Sequence, residues 1–282
     1  MSRIPTSKLA WQAFRLLGKN RRCSKETRED MLGCIGRIAR AMERYGLNSI
    51  RDIKPGHVQR YFAELKGAGL SESRMANHAS AMRKLCHVIG KADVVPSNRV
   101  LGCSRSQANR TKHADERMDT AKVAEVYAKL SEPNQIAYLM AKVFALRQKE
   151  TLLSFKTTEK DGSTWLVVEG AKGGRPRLVP VDNDEQREVL ARNHAYRASH
   201  GGKLVDEQKS LLQGIRSLQN ELAAAGATRT SGANMHTLRR EWIIVRCERI
   251  AAAPEEEQLN MRKSLMEAVG HSRDATRSYT DL

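Results

Sequence analysis

Residues 163–181 read STWLVVEGAKGGRPRLVPV, and this stretch decides the fold class. Its two ends, STWLVVEG and RPRLVPV, are rich in β-branched and apolar residues, and the AKGG between them supplies the glycines of a turn. We therefore predict two β-strands joined by a hairpin, with Lys172 in the turn. Almost all other patterns in the chain are helical. The sequence thus predicts a mainly α fold with a small β-sheet, and an α+β domain around that sheet.

Helical patterns lie on both sides of the hairpin. Before it, we predict one helix from Asp119 to Leu130 and another from Pro133 to Phe144. A loop at PEEEQ, residues 254–258, is expected to precede a last helix start. Between the hairpin and that loop, three segments have helical patterns: EQREVLARNHAYRA (185–198), DEQKSLLQGIRSLQNELAAAG (206–226) and TLRREWIIVRCERIAAA (237–253).

The first third of the chain is also helical by pattern. Met31, Ile35, Ile38 and Met42 recur at helical spacing, and Gly46 is placed to end that helix. A segment around Trp11 adds a further predicted helix. Two more follow in KPGHVQRYFAELKGAGLS (54–71) and SESRMANHASAMRKLCHVIG (71–90), each with one apolar stripe. These patterns predict a small all-helical bundle.

The two predicted regions are separated by a polar, basic stretch without periodicity. We expect one helical domain over residues 1–105, a linker over 106–116, and a second domain over 117–282.

Positive charge is concentrated in the first region. The chain has a formal net charge of +17 and a pI near 9.9. Residues 1–112 hold 23 Lys and Arg against 8 Asp and Glu, whereas residues 113–282 hold 26 against 24. A polyanionic partner explains such segregation, and nucleic acid is the first candidate. Arg74, Arg83 and Lys84 are expected on the outer, DNA-facing side of their helix. The alternative is a basic domain whose charge serves solubility.

Apolar runs, the N-terminus and the cysteines indicate the cellular compartment and the state of the thiols. No run of 18 apolar residues indicates a membrane span, and the N-terminus lacks the pattern of a signal peptide. The five cysteines are scattered without a CxxC pair, which favours reduced thiols over disulfides or zinc. We expect a cytoplasmic, nucleoid-associated protein.

Four short motifs of the second region contain chemically useful side chains, each ordinary when taken alone. In chain order they are ALRQKETL with Arg147 and Glu150, GAKGG with Lys172, HTLRREW with His236 and Arg239, and GHSRDATRSY with His271 and Tyr279.

Together, in this order and at these separations, the motifs resemble the catalytic set of the tyrosine recombinase (phage integrase) family. That set is an arginine at an LR helix end, a hairpin lysine, His-x-x-Arg, Gly-His, and a tyrosine. The resemblance covers roughly residues 115–282, and the basic helical region is similar to the family's core-binding domain. It implies a site-specific DNA recombinase that cuts and rejoins two duplexes in a homotetramer, through a Holliday junction.

The resemblance also implies roles for the matching residues. Arg147 and Arg239 would bind the non-bridging oxygens of the scissile phosphate, for which paired guanidinium donors are well suited. Tyr279 would attack the phosphorus and form a 3′-phosphotyrosine. A phenol, with a pKa of about 10, leaves more readily than an alkyl hydroxyl when the strand is rejoined.

The remaining positions would assist this exchange. Lys172 would protonate the departing 5′-hydroxyl, and His236 would assist proton transfer. His271 would donate a hydrogen bond to the phosphate, and Glu150 would orient its neighbours. No cofactor and no metal is expected.

Two spacings depart from the family pattern. The tyrosine of many relatives stands nine residues after the Gly-His histidine, but Tyr279 stands eight after His271, and only three residues follow it. We therefore expect either a different link between protomers or a shortened chain. The first interpretation is integration and excision of a mobile genetic element, while the identity of that element, the target site and any accessory DNA-bending protein stay open. So do two alternatives: a dimer-resolving or inversion recombinase, and a catalytically silent DNA-binding protein of the same fold.

Overall fold

The computed structural model describes residues 7–17, 25–103, 117–169 and 176–270. The chain divides into two compact units, residues 1–112 and residues 113–282. The predicted linker, 106–116, lies outside the described residues. The predicted fold class is confirmed, since helices predominate and a single small sheet lies in the second unit among the described residues.

Among its described residues, the first unit has four α-helices around one apolar core. Helix α2 packs against α1 and α4, and the apolar stripes predicted from the sequence face this core. Gly46, with φ of 83°, follows the end of α2 as predicted. The helices are α1 (Lys8–Leu17), α2 (Lys25–Arg44), α3 (Pro55–Gly67) and α4 (Glu72–Val88).

A buried polar pair joins α3 to α4 inside this core. The hydroxyl of Tyr61 and Nδ1 of His78 lie 2.7 Å apart, and both side chains are buried. Burial, together with the charges of Arg37 and Arg74, lowers the pKa of His78 to about 4. The imidazole is therefore neutral at physiological pH and contributes to packing.

The second unit contains seven helices and three strands among its described residues. The elements are α5 (Thr120–Ala128), α6 (Glu132–Phe144), α7 (Gln148–Thr151), β1 (Lys156–Lys160), β2 (Ser163–Val168), β3 (Arg177–Pro180), α8 (Asp184–Ser199), α9 (Leu211–Ala224), α10 (Met235–Ala251) and α11 (Glu255–Val269). No helix in the described ranges is both long and apolar enough to cross a membrane.

The sheet has the order β1-β2-β3 and is antiparallel throughout. Strands β2 and β3 are those predicted from residues 163–181, and Leu166 pairs with Val179 on the buried face. Strand β1 was not predicted. Its sequence, KTTEK, is exposed at every position, so it lacks the alternation of apolar and polar residues by which a strand is recognised.

Most predicted helix boundaries agree with the structure to within two residues, but two were wrong by more than that. Residues 206–210 form turns, and α9 begins at Leu211, because Ser210 accepts a hydrogen bond from the Gln213 amide and caps the helix there. The PEEEQ segment is not a loop before a helix. Helix α11 begins at Glu255, and its three glutamates occupy the first turn, where the helix dipole favours negative charge.

Helix α6 is the central element of this unit, and it packs against α8 and α10. The indole of Trp242 on α10 donates to the Val143 carbonyl at 2.8 Å, and the amide of Gln186 on α8 donates to the same oxygen at 2.8 Å. These bonds fix both helices against the end of α6. The loop that follows α6 and the start of α10 are thereby held close together.

Candidate active site

Arg147 stands just after a sharp turn at the end of α6. Ala145 has φ of 50°, in the left-handed region, and redirects the chain away from α6. Arg147 is then the N-cap residue of the short helix α7. Glu150 on that helix accepts from the Arg147 backbone N–H at 2.7 Å and pairs with its Nη1 at 2.8 Å. One carboxylate therefore fixes both the backbone and the side chain of Arg147.

His236 and Arg239 lie near the start of α10, three residues apart and therefore on one face of the helix. Asn234 caps this helix by accepting from the backbone N–H groups of His236 and Thr237, both at 3.0 Å. Arg239 is buried, and it donates to the carbonyl of Ala145 and, at 2.7 Å, to that of Val269. His236 is exposed at the surface of the same turn.

The C-terminus of α11 meets these arginines. Arg147 also donates to the Val269 carbonyl, at 3.3 Å, so two guanidinium groups share one oxygen of the last helical turn. The final carbonyls of a helix lack partners within the helix and carry partial negative charge, which favours cations at this end.

Gly270 ends α11 in the left-handed conformation, with φ of 65°. A Cβ added to it would lie 3.1 Å from Cδ of Arg177 and 3.7 Å from Nη1 of Arg147. The glycine of the predicted Gly-His motif therefore has a structural reason: it permits both the turn and the close approach of Arg177.

Arg177 belongs to this cluster but was not among the predicted site residues. It begins β3, and its Nη2 lies 2.5 Å from Glu150. Its Nη1 donates to the Ala268 carbonyl at 2.7 Å. The sequence places it in the predicted strand RPRLVPV, where it reads as one of two arginines near the start of the strand. Only the buried alternation of the strand could have indicated an inward side chain.

The electrostatics favour an ionised Glu150. Burial by itself would raise the pKa of this carboxyl, but the charge of Arg177 and the hydrogen bonds from Arg147 lower the pKa below its ordinary value. The carboxylate is thus charged at neutral pH. It is balanced by more than one guanidinium, so the cluster keeps an excess of positive charge.

Arg147, His236 and Arg239 line one cavity of about 520 Å³ in the second unit. The cap residue Asn234 lines it as well, so the N-terminus of α10 faces the same space. Helix N-termini and arginine side chains both favour anions. The arrangement is suited to a phosphate group.

Three predicted site residues lie outside the described residues: Lys172, His271 and Tyr279. By sequence, Lys172 lies between β2 and β3, and His271 follows Gly270 directly. No group of three His, Cys, Asp or Glu side chains placed to hold a metal is found within residues 7–17, 25–103, 117–169 and 176–270.

The three residues predicted to face DNA differ in exposure. Arg74 and Lys84 are exposed on α4. Arg83 is half-buried, and its Nη2 donates to the carbonyl of Pro96 at 2.6 Å. Arg83 therefore stabilises the chain that follows α4.

Comparisons with known families match both regions of the chain. A family model described as Integrase matches residues 102–244, about half of the chain, and a model described as Phage integrase, N-terminal SAM-like domain, matches residues 12–89. The chain belongs to the phage integrase family of tyrosine recombinases. The resemblance seen in the sequence motifs is thereby confirmed at the level of the family. A comparison with curated protein sequences found no match.

Solved tyrosine recombinases share this integrase's fold. The XerH site-specific recombinase bound to its difH substrate is 16% identical, with a TM-score of 0.61 over 98% of this chain and 93% of that one. The Tn1549 transposon integrase with transposon right end DNA is 14% identical, with a TM-score of 0.58 over 96% and 94%. A lambda integrase dimer on a COC′ core site is 17% identical, with a TM-score of 0.58 over 93% and 73%. At these identities the likeness shows the fold alone.

Proposed function

We propose that this integrase is a site-specific DNA recombinase that cleaves and rejoins DNA through a 3′-phosphotyrosine intermediate. The observation that carries the proposal is the meeting of Arg147, His236 and Arg239 on one cavity at the N-terminus of α10. Two guanidinium groups and a helix N-terminus suit the charge that develops on a five-coordinate phosphorus. The basic first unit supports a DNA partner, and the relatives XerH, Tn1549 integrase and lambda integrase were each solved on DNA.

The reaction replaces one phosphodiester bond of a DNA strand with a bond to the enzyme, and rejoining later restores a phosphodiester bond. The Tyr279 oxygen attacks the phosphorus and loses its proton, with assistance from His236, while Arg147 and Arg239 hold the non-bridging oxygens. The bond to the 5′-oxygen breaks, and Lys172 supplies the proton that makes it a hydroxyl. His271 donates a hydrogen bond to the phosphate. The phosphotyrosine retains the bond energy, so rejoining needs neither a nucleotide nor a further cofactor.

The proposed biological role is integration and excision of a mobile genetic element. Two duplexes would be exchanged within a homotetramer, one strand pair at a time, through a Holliday junction, and a DNA-bending protein is a possible accessory. Resolution of dimers or inversion of a segment would use the same chemistry on different sites. A catalytically silent DNA-binding protein is the alternative of another class.

A nicked suicide substrate tests the chemistry. The substrate is built from the DNA at the ends of the element that carries the gene, with a nick beside the crossover position. The wild-type protein should form a covalent adduct that survives denaturing electrophoresis. Tyr279→Phe should abolish the adduct and retain DNA binding.

Tyr196→Phe is the matched control, because Tyr196 is the nearest preceding tyrosine and stacks on His200 instead of lining the cavity. It should form the adduct at the wild-type rate. An adduct in Tyr279→Phe would show that the nucleophile is another residue. Specific binding by the wild type without any adduct would favour the catalytically silent alternative.

A further inference from the structure

Arg177 occupies a strand position at which an apolar side chain is expected. It lies on the buried face of the sheet with Val179, and its strand partner is Val168. Only 4% of its side chain is exposed. Burying a guanidinium is costly unless it is paired and hydrogen-bonded, so its partners are informative.

Those partners lie on two elements that carry other parts of the site. Nη2 binds Glu150 of α7 at 2.5 Å, and Nη1 binds the Ala268 carbonyl of α11 at 2.7 Å. Its Nε has no hydrogen-bond partner among the described residues and lies beside Gly270, whose absent Cβ would stand 3.6 Å away. One guanidinium thus joins β3, α7 and the end of α11.

The contacts continue from these partners to the two arginines at the cavity. Glu150 holds the backbone and side chain of Arg147. The carbonyl next to that of Ala268, on Val269, receives Arg147 and Arg239. Loss of Arg177 therefore removes one contact of Glu150 and one contact of the last turn of α11 at the same time.

We propose that Arg177 is a positioning residue for DNA cleavage, which sets the direction of Arg147 through Glu150 and fixes the end of α11 before His271 and Tyr279. This inference rests on the proposed function. The charged groups that face Glu150 are Arg147 on its own helix and Arg177 from β3, while α11 presents carbonyls beside Arg239 of α10.

The role predicts a particular pH dependence. In the wild type, Glu150 stays ionised well below neutral pH because its pKa is lowered. Arg177→Met removes one of the charges that lower it, and burial then raises the pKa of Glu150. Protonated Glu150 no longer orients Arg147. The cleavage rate should fall about tenfold for each pH unit below the raised pKa, in addition to any fall seen in the wild type.

Single-turnover adduct formation on the suicide substrate measures this from about pH 5 to about pH 8. The pH–rate profile of Arg177→Met should show a new fall in rate at acidic pH. Adding Glu150→Gln to the same chain should remove this fall, because an amide does not titrate. Arg177→Lys retains the charge without the paired donors. Its rate should lie between those of the wild type and Arg177→Met, with no new fall at acidic pH. Arg187→Met is the matched control, since Arg187 is exposed and pairs only with Asp184 among the described residues.

A second readout does not depend on cleavage. Carbon-13 NMR of Glu-labelled protein follows the Glu150 carboxyl, whose signal is identified by its loss in Glu150→Gln. Its titration should move to higher pH in Arg177→Met. If the wild type forms no adduct, the proposed function fails, and this titration still decides whether Arg177 controls Glu150.

Two results would overturn the inference. The first is an Arg177→Met variant with the wild-type rate, pH profile and Glu150 titration. The second is an Arg177→Met variant whose rate falls equally at every pH, whose Glu150 titration is unshifted, and whose pH profile does not change when Glu150→Gln is added. Arg177 would then have a structural role only.

Discussion

At the end of α11, Gly270 is needed both for its backbone conformation and for the space that its missing side chain leaves to Arg177. Its φ of 65° is unfavourable for a residue with a Cβ, and that Cβ would meet Cδ of Arg177 at 3.1 Å. The aliphatic part of an arginine can yield by a small shift. Such a shift changes the position of the guanidinium that holds Glu150.

Gly270→Ala should therefore affect stability and cleavage together. The left-handed conformation costs a residue with a Cβ about 1–2 kcal/mol, so thermal unfolding should occur at lower temperature. Adduct formation on the suicide substrate should slow, because the new methyl group displaces Arg177, whose guanidinium holds Glu150. Both effects are measured on the full chain.

Gly67→Ala is the matched control for this substitution. Gly67 closes α3, has no positive φ, and would have nothing within 4 Å of an added Cβ. The same change should there raise stability by about 0.4–1 kcal/mol. It should leave the cleavage rate as in the wild type. A Gly270→Ala variant that unfolds and cleaves like the wild type would contradict the role given to Gly270.

At the scale of elements, apolar periodicity predicted the helices well. The apolar residues Met31, Ile35, Ile38 and Met42 recur at helical spacing because they share one apolar face, so α2 could be recognised from the sequence. The same information predicted β2 and β3 but not β1, whose side chains are all exposed. Its place is set by backbone pairing with β2, which leaves no trace in side-chain hydrophobicity.

The site was predictable only where a motif is local. The three-residue spacing of His236 and Arg239 places them on one helical face, and the family resemblance implied that Glu150 orients its neighbours. Arg177 could not be assigned from the sequence, since its burial depends on partners 27 and 91 residues away along the chain. Its ion pair exists only once β3, α7 and α11 have assembled.

The N-terminal cap of α10 allows a test at the element scale. Asn234 accepts from two backbone N–H groups of the turn that carries His236. Asn234→Ala should cost about 1 kcal/mol of stability and slow adduct formation, because this turn frays at the cavity. Asn234→Ser retains a capping oxygen and should recover most of both losses.

Asn183→Ala serves as the comparison for the cap. The side chain of Asn183 caps α8 by accepting a hydrogen bond from the backbone N–H of Gln186 at 2.9 Å, and Asn183 does not line the cavity of the site. Its loss should lower stability by a similar amount while cleavage stays unchanged. Equal slowing in both variants would mean that lost stability, not the position of His236, controls the rate.

For the whole molecule, the distribution of charge separates two tasks. The first 112 residues carry 23 basic against 8 acidic residues, whereas the remainder is nearly balanced at 26 against 24. The second region nevertheless concentrates guanidinium groups at one cavity. Long-range attraction of DNA is therefore expected from the first unit, and recognition of a single phosphate from the second.

The salt dependence of DNA binding tests this division. Each phosphate contact contributes about 0.9 to the slope of log K against log salt, so Arg74→Gln with Lys84→Gln should reduce the slope by about 2. The measurement is a titration of a labelled duplex with the full chain at several salt concentrations. Lys129→Gln with Arg187→Gln is the control, because it removes the same charge from exposed residues of the second unit that already pair with acidic side chains.

Arg83→Gln separates a contact with DNA from a contact within the protein. Arg83 holds the Pro96 carbonyl, so its loss should lower stability while the salt slope changes little. If Arg83→Gln lowers the slope as much as Arg74→Gln does, Arg83 leaves Pro96 to bind a phosphate. If the Arg74 and Lys84 variant keeps the wild-type slope, the outer side of α4 does not contact DNA, and the basic charge of the first unit acts through another surface.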